Sequence, residues 1–141
     1  MKAIERVVVI GAGTMGHGIA HVAAAAGCDV ALSDVDEAAA KRGLDGIRRN
    51  LETGVERGKV TADEREAALA RVTAVTGLDA AAGADLVVEA VPENLDIKRD
   101  LFAKLDSLAT DRAILATNTS SLPVGKIAAA TERPSRVIGM H

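Results

Sequence analysis

Three glycines near the start of the chain have the spacing of a loop that binds a diphosphate through its backbone. The segment GAGTMG at positions 11–16 fits the pattern G-x-G-x-x-G and directly follows the apolar run RVVVI. Gly11 would allow a tight turn, Gly13 would let the backbone approach a phosphate, and Gly16 would let a helix pack closely on a strand. Unpaired N–H groups at the start of that helix would face the anion. The sequence therefore predicts a dinucleotide site over Gly11, Ala12, Gly13, Thr14, Met15 and Gly16.

An acidic residue, Asp34, follows the glycine segment at the distance that a ribose contact requires. It lies 18 residues after Gly16, at the end of the segment DVALSD, where it would accept hydrogen bonds from the hydroxyls of an adenosine ribose. A 2′-phosphate about 4 Å away would be repelled by about 4 kcal/mol at an effective dielectric constant of about 20. Because Val35 and Asp36 come next, no arginine stands directly behind the acid. The sequence therefore favours NAD over NADP.

Histidine and cysteine, which could ligate a metal, are few in this sequence. His17 and His21 lie one helical turn apart in the first predicted helix and could chelate an ion. No third ligand is evident, so both are interpreted as ordinary helix-surface residues, and no metal is predicted. Cys28 is the only cysteine, which excludes an internal disulfide and fits a reducing compartment. We interpret Cys28 as a small structural residue.

Alternating strand and helix patterns must position these residues. Strands are predicted at 6–13, 29–34, 72–75, 84–91, 113–118 and 136–140, and helices at 14–27, 36–59, 61–71, 94–108 and 122–130. The first helix has an apolar face formed by Met15, Ile19, Val22 and Ala26, and glycines 43, 46 and 54 are expected to weaken the second. This alternation predicts an α/β fold of the Rossmann type, doubly wound, with a mainly parallel sheet and helices on both faces.

Length and composition narrow the class of protein. A chain of 141 residues is long enough for one domain with its own hydrophobic core. A net charge of −3, with one Phe and no Trp or Tyr, argues against general nucleic-acid binding. The N-terminal apolar run, broken by Gly11 and Gly13, is too short for a signal peptide or a membrane span. We therefore expect a soluble, cytoplasmic protein.

Three further segments resemble parts of one enzyme family. VVEAVPENLDIKRDLF at 87–102, ATNTSSLPVGKIA at 116–128 and RVIGMH at 136–141 together resemble the nucleotide-binding domain of the L-3-hydroxyacyl-coenzyme A dehydrogenases. That family includes the bacterial 3-hydroxybutyryl-coenzyme A enzymes. The resemblance runs in unbroken order from Val7 to His141. The combination of TNTSSL with ENLDIK is more specific than the glycine pattern.

The resemblance implies an NAD-dependent oxidoreductase that moves a hydride between NAD and the 3-hydroxyl carbon of a 3-hydroxyacyl-coenzyme A. It implies that Ser120 touches both the nicotinamide and the substrate oxygen, and that His141 is the general base for the hydroxyl proton. A neutral imidazole suits that task near pH 7. The implied contacts at the ribose and nicotinamide end of the cofactor are Glu93, Lys98, Asn118 and Ser120.

A basic segment could meet the polyanionic coenzyme A. Residues 41–59 hold six Lys or Arg side chains against three Asp or Glu, in a chain that is acidic overall. The resemblance places coenzyme A contacts here, at Asn50 and Arg57. An ordinary solvated, charged helix face remains an alternative.

The resemblance also implies elements beyond these 141 residues. In the family, a later glutamate orients the histidine, and a helical domain closes over the acyl chain and carries most of the homodimer contact. Residues 1–141 are therefore expected to be the dinucleotide-binding domain alone and to bind NAD with little or no turnover. Two alternatives stay open, namely a non-catalytic NAD-binding module that senses redox state, and a different two-domain NAD-dependent 3-hydroxy acid dehydrogenase.

Overall fold

Six strands pair into one parallel sheet in the computed structural model, which describes residues 2–141. They are β1 Arg6–Ile10, β2 Asp29–Asp34, β3 Val72–Thr76, β4 Leu86–Glu89, β5 Ile114–Thr117 and β6 Val137–Gly139. Their order across the sheet is β3-β2-β1-β4-β5-β6, and every pairing is parallel. The order reverses direction between β1 and β4, which opens a crevice beyond the carboxyl ends of those two strands. The predicted α/β, doubly wound Rossmann-type fold is confirmed.

The strands are joined by helices whose starts agree with local signals in the sequence. The helices are α1 Thr14–Ala25, α2 Glu37–Glu56, α3 Ala62–Ala70, α4 Leu95–Leu108 and α5 Val124–Ala128, with short 3-10 segments at Asp79–Gly83 and Pro134–Arg136. The capping box of Thr61 and Glu64 ahead of α3 forms both of its hydrogen bonds. Within residues 2–141, none of these helices combines the length and the hydropathy that crossing a bilayer demands.

Two apolar layers lie on opposite faces of the sheet. Successive side chains of a strand point to opposite faces, so Val7 and Val9 of β1 pack with α1, α2 and α3, whereas Val8 and Ile10 pack with α4 and α5. Helices therefore cover both faces, as predicted. Polar side chains collect instead at the carboxyl ends of the strands.

The buried face of α1 differs from the expected one. Gly16, Ala20 and Ala24 are buried, whereas Met15 and Val22 are 54% and 70% exposed. Small side chains on the inner face let the helix approach the strands closely, so here size decides burial more than hydrophobicity does. The predicted apolar face of α1 is therefore present, but it lines an open groove instead of forming the buried side of the helix, and Met15 and Val22 are exposed there.

Two of the glycines that were expected to weaken α2 also let it pack closely against its neighbours. A Cβ at Gly43 would lie 2.7 Å from the Cβ of Ala12 and 2.8 Å from its carbonyl oxygen. A Cβ at Gly46 would lie 3.0 Å from Nε2 of His17. The glycines thus bring α2 against both the glycine segment and α1.

Candidate functional site

The glycine segment forms a tight turn between β1 and α1. Gly11 has a φ of +100°, and its N–H donates to the carbonyl oxygen of Ser33 at 2.8 Å. A Cβ at Gly11 would lie 2.6 Å from the carbonyl oxygen of Ala90, and a Cβ at Gly16 would overlap the carbonyl oxygen of Gly11. Both positions therefore require glycine for geometric reasons, as the sequence predicted.

The start of α1 is open to a ligand. Gly13 is its N-cap residue, no side chain caps the first turn, and a Cβ at Gly13 would meet nothing within 4 Å. The starts of α2, α3 and α4 are instead capped by the side chains of Asp36, Thr61 and Asn94. A helix start without a side-chain acceptor leaves N–H groups that an anion can bind.

Asp34 holds the glycine turn and borders two cavities. Its Oδ2 accepts from the N–H of Ala12 at 2.8 Å, and its Oδ1 accepts from the N–H of Val35 at 2.7 Å. One cavity, of about 260 Å³, lies between Asp34, the start of α1 and Arg42 of α2. The other, of about 390 Å³, extends past Val35 to apolar residues of α4. Each carboxylate oxygen keeps a further lone pair, so Asp34 can accept from a ligand while holding the turn.

The ends of β5 and β6 bring Asn118 and His141 to the same cavity. The N–H of Asn118 donates to the carbonyl oxygen of Glu89 at 2.9 Å, and the N–H of Met140 donates to that of Thr117 at 2.9 Å. Asn118 and His141 then line a largely apolar groove of about 510 Å³ together with Thr14 and Met15 of α1. Ser120 lies two residues beyond Asn118 and is exposed.

Glu93 and Lys98 meet at the start of α4 in a cluster of ionic groups. The Lys98 Nζ lies 2.8 Å from Oε1 of Glu93 and 2.6 Å from Oε1 of Glu89. Lys98 and Glu89 are buried, whereas the side chain of Glu93 is 42% exposed. Hydrogen bonds from Lys98, and then from the hydroxyl of Thr119, hold the pKa of Glu93 at about 2 instead of 4.5.

Three residues of this cluster were not singled out from the sequence. They are Glu89, Thr117 and Thr119, each of which is buried. A signal for Glu89 was present, because a glutamate in the apolar strand segment ADLVVEAV must be paired if it is buried. The lysine that pairs with it stands nine residues later, on α4.

The structure does not bring Asn50 and Arg57 close to the glycine turn, to Asp34 or to the residues at the ends of β4, β5 and β6. Both are exposed, and they lie 13 and 20 residues beyond the first residue of α2. At about 1.5 Å per residue they are about 20 and 30 Å along the helix from the end that faces Asp34. Neither lines the three cavities just described.

The two histidines of α1 lie outside any metal-like cluster. Burial lowers the pKa of His21, and the neighbouring His17 lowers it further. Within the part of the chain that the structure describes, no three His, Cys, Asp or Glu side chains are grouped as metal ligands. The ring of His17 packs against Gly46 and lines the smaller cavity beside Asp34.

Comparison with known sequences identifies one family. The profile described as "3-hydroxyacyl-CoA dehydrogenase, NAD binding domain" matches residues 6–141. The 3-hydroxybutyryl-CoA dehydrogenase of Mycobacterium tuberculosis is 48% identical over 140 residues, which are 99% of this chain and 49% of that protein. The 3-hydroxyadipyl-CoA dehydrogenase of Escherichia coli is 46% identical over 98% of this chain and 29% of its own length. The chain thus spans about half the length of the first of these relatives, and less of the second.

A solved structure shows the same arrangement. The (S)-3-hydroxybutyryl-CoA dehydrogenase from Ralstonia eutropha superposes with a TM-score of 0.95 at 37% identity. The match covers 99% of this chain and 49% of that one. The fold described above is therefore shared with that solved structure.

Proposed function

Because this chain belongs to the family of NAD-binding domains of the 3-hydroxyacyl-CoA dehydrogenases, we propose that residues 11–16 and Asp34 hold NAD. The observation that carries this proposal is the uncapped start of α1 beside the carboxylate of Asp34. The open N–H groups fit a diphosphate, and the carboxylate fits the hydroxyls of a ribose.

The two cavities beside Asp34 extend this assignment to the adenosine half of NAD. The larger one has Val35 and Ile97 on its walls, and their side chains are exposed. Apolar walls of this kind suit the flat faces of an adenine ring. Asp34 stands at the boundary of both cavities, where the ribose would lie between the adenine and the diphosphate.

The nicotinamide end is proposed to lie beyond β4, β5 and β6. Asn118 and His141 share one groove there, and Glu93 and Ser120 lie on the adjoining loops. The proposed substrate is a 3-hydroxyacyl-CoA, or the 3-oxoacyl-CoA in the reverse direction. NAD, held by residues 11–16 and Asp34, would supply the acceptor for the hydride that leaves C3 of the hydroxyacyl group.

Ser120 and His141 are proposed to act on the substrate oxygen. The Ser120 hydroxyl would donate a hydrogen bond to the oxygen at C3 and so orient it without adding charge. The neutral imidazole of His141 would accept the proton of the 3-hydroxyl group. Both side chains are exposed, so both are accessible to a substrate.

Coenzyme A and a second subunit are proposed as further partners. Asn50 and Arg57 lie on the basic part of α2, where they would contact the polyanionic carrier. We propose a homodimer for the full-length enzyme and a cytoplasmic location, the latter because a sequence with one cysteine, Cys28, has no internal disulfide and fits a reducing compartment. For residues 1–141 alone we propose NAD binding with little or no turnover.

A titration with NADH, followed by its own fluorescence, tests the cofactor site. Asp34→Asn can keep an acceptor for the N–H of Ala12, loses the acceptor for the N–H of Val35, and removes the charge that repels a 2′-phosphate. We expect this variant to bind NADH about tenfold more weakly or worse, with a smaller loss for NADPH. Asp45→Asn is the matched control, because that exposed aspartate pairs only with Arg48 of its own helix. Equal losses for both dinucleotides would contradict the assignment of Asp34.

A second assay tests the proposed reaction. The chain is mixed with NADH and acetoacetyl-CoA, alone and after addition of the separately produced C-terminal half of the Mycobacterium tuberculosis relative. We expect oxidation of NADH in the mixture and little in the chain alone. Binding of NADH without turnover under both conditions would favour a non-catalytic NAD-binding module.

A further inference from the structure

Five residues at the ends of β4 and β5 and the start of α4 form a closed ring of hydrogen bonds, one of which comes from a main-chain N–H. Lys98 Nζ bridges Glu89 and Glu93, with Oε2 of Glu89 at 2.7 Å and Oε1 of Glu93 at 2.8 Å. The Thr119 hydroxyl donates to Oε2 of Glu93 at 2.7 Å, and its own N–H donates to the Thr117 hydroxyl oxygen at 3.3 Å. The Thr117 hydroxyl donates to Oε1 of Glu89 at 3.1 Å and closes the ring.

Lys98 has no donor left for a ligand. Its ammonium group has three N–H donors, and its acceptors are both carboxylates and the carbonyl oxygen of Val91, at 3.2 Å. Its side chain is 1% exposed. In this structure the ammonium group contacts Glu93 and Glu89, and it influences the proposed site through these two carboxylates.

The ring also fixes the loop that follows β5. The Thr119 hydroxyl oxygen accepts from the N–H of Leu122 at 3.0 Å, and the Ser121 hydroxyl donates to Oε2 of Glu93 at 3.0 Å. Both neighbours of Ser120 are thus tied to Glu93, while Ser120 itself stays exposed. Among residues 2–141 every buried side-chain nitrogen or oxygen has a hydrogen-bond partner, so the ring is fully satisfied.

We propose that Glu89, Thr117 and Thr119, together with Lys98, are positioning residues that hold the Asn118 to Leu122 loop in place for the nicotinamide half of the cofactor. This inference rests on the proposed function, because the site of the nicotinamide is part of that proposal. The adenosine half is held by the glycine turn and Asp34, which share no hydrogen bond with the ring. A substitution that breaks the ring should therefore weaken binding of the nicotinamide half more than binding of the adenosine half.

Thr119→Val tests the inference, because it removes the hydroxyl group with little change in side-chain shape. Thr119→Ser is the companion variant, because it keeps the hydroxyl group and loses only the methyl group. Binding of NADH and of ADP-ribose, which lacks the nicotinamide, is measured by calorimetry for each variant. We expect Thr119→Val to bind NADH about tenfold more weakly and ADP-ribose within about twofold of the unmodified chain. Thr119→Ser should bind both ligands normally. Thr131→Val is the control for loss of a threonine hydroxyl outside the ring, because it removes the hydrogen bond from that hydroxyl to Ala128 at the end of α5. Thr119→Val removes the bond to Glu93 and the one from the N–H of Leu122.

Amide hydrogen exchange supplies a readout that needs no ligand. We expect residues 119–122 of Thr119→Val to exchange about tenfold faster, while residues 11–16 are unchanged. Unchanged exchange in the loop, or equal losses for NADH and ADP-ribose, would overturn the inference. If the unmodified chain binds neither ligand, the proposed function fails, and the exchange rates alone still decide whether the ring holds the loop. Thr117→Val is a second variant for the same measurements.

Discussion

Replacement of Lys98 by methionine gives a sharp test of the buried ionic cluster. Methionine has nearly the same length as the lysine side chain but no charge. Glu89, which is fully buried, would then lose the partner 2.6 Å from its Oε1. Its remaining side-chain partner is the neutral hydroxyl of Thr117. The carboxylate must then stay charged without compensation or take up a proton, and either outcome destabilises the folded state at neutral pH.

The expected loss is about 3 to 5 kcal/mol, the range for a buried ion pair from which one partner is removed. Glu93 adds little to this figure, because its side chain is 42% exposed and water can replace the lysine there. For a chain of this length the loss corresponds to a fall in melting temperature of about 10 to 20 °C. Far-UV circular dichroism is the suitable probe, because the chain has no Trp or Tyr.

A double variant separates lost charge compensation from lost packing. Glu89→Met combined with Lys98→Met removes both charges and keeps two unbranched side chains of similar volume. Removal of both partners of a buried ion pair is often nearly neutral, so we expect most of the stability to return. A melting temperature for Lys98→Met within about 3 °C of the unmodified chain would refute the reasoning. So would a double variant that is less stable than the single one.

Two further predictions concern the glycine turn and the pH dependence of stability. Gly16→Ala should be less stable and should not bind NADH, because its Cβ would overlap the Gly11 carbonyl oxygen. Gly125→Ala is the control: it lies at an exposed helical site with open space, so it should gain up to about 1 kcal/mol of stability and bind NADH normally. Retained NADH binding by Gly16→Ala would contradict the assignment of the turn. The pKa of Glu93 is lowered from 4.5 to about 2, so its stabilising contribution is fully present above pH 4.5 and is lost as the pH falls toward 2. Urea denaturation should therefore show the largest difference between the unmodified chain and Glu93→Gln above pH 4.5 and a vanishing difference near pH 2, and a constant difference would be inconsistent with this.

Local patterns were sufficient for much of the fold. The apolar strand before Gly11, the tight turn at that glycine and the helix after Gly13 were all predicted from neighbouring residues, and the structure has all three. The capping box ahead of α3 is equally local. Features of this kind can be predicted because the residues that cause them are adjacent in sequence.

Features that depend on distant neighbours could not be predicted in the same way. The inner face of α1 is set by how closely the helix approaches β1, so Gly16 is buried there and Val22 is not. Gly43 was expected to weaken α2, and its use in packing depends on Ala12, which is 31 residues away. The partners of Glu89 come from α4 and β5, so only the assembled sheet shows that this carboxylate is paired.

The open start of α1 has a consequence for the lifetime of the protein. A bound diphosphate would complete the first turn of that helix, so the domain should resist unfolding better as the concentration of free dinucleotide rises. At a concentration about 100 times the dissociation constant, the gain is about 2.7 kcal/mol by mass action. Proteases act on transiently opened chains, so they should degrade this domain more slowly as the concentration of free dinucleotide rises.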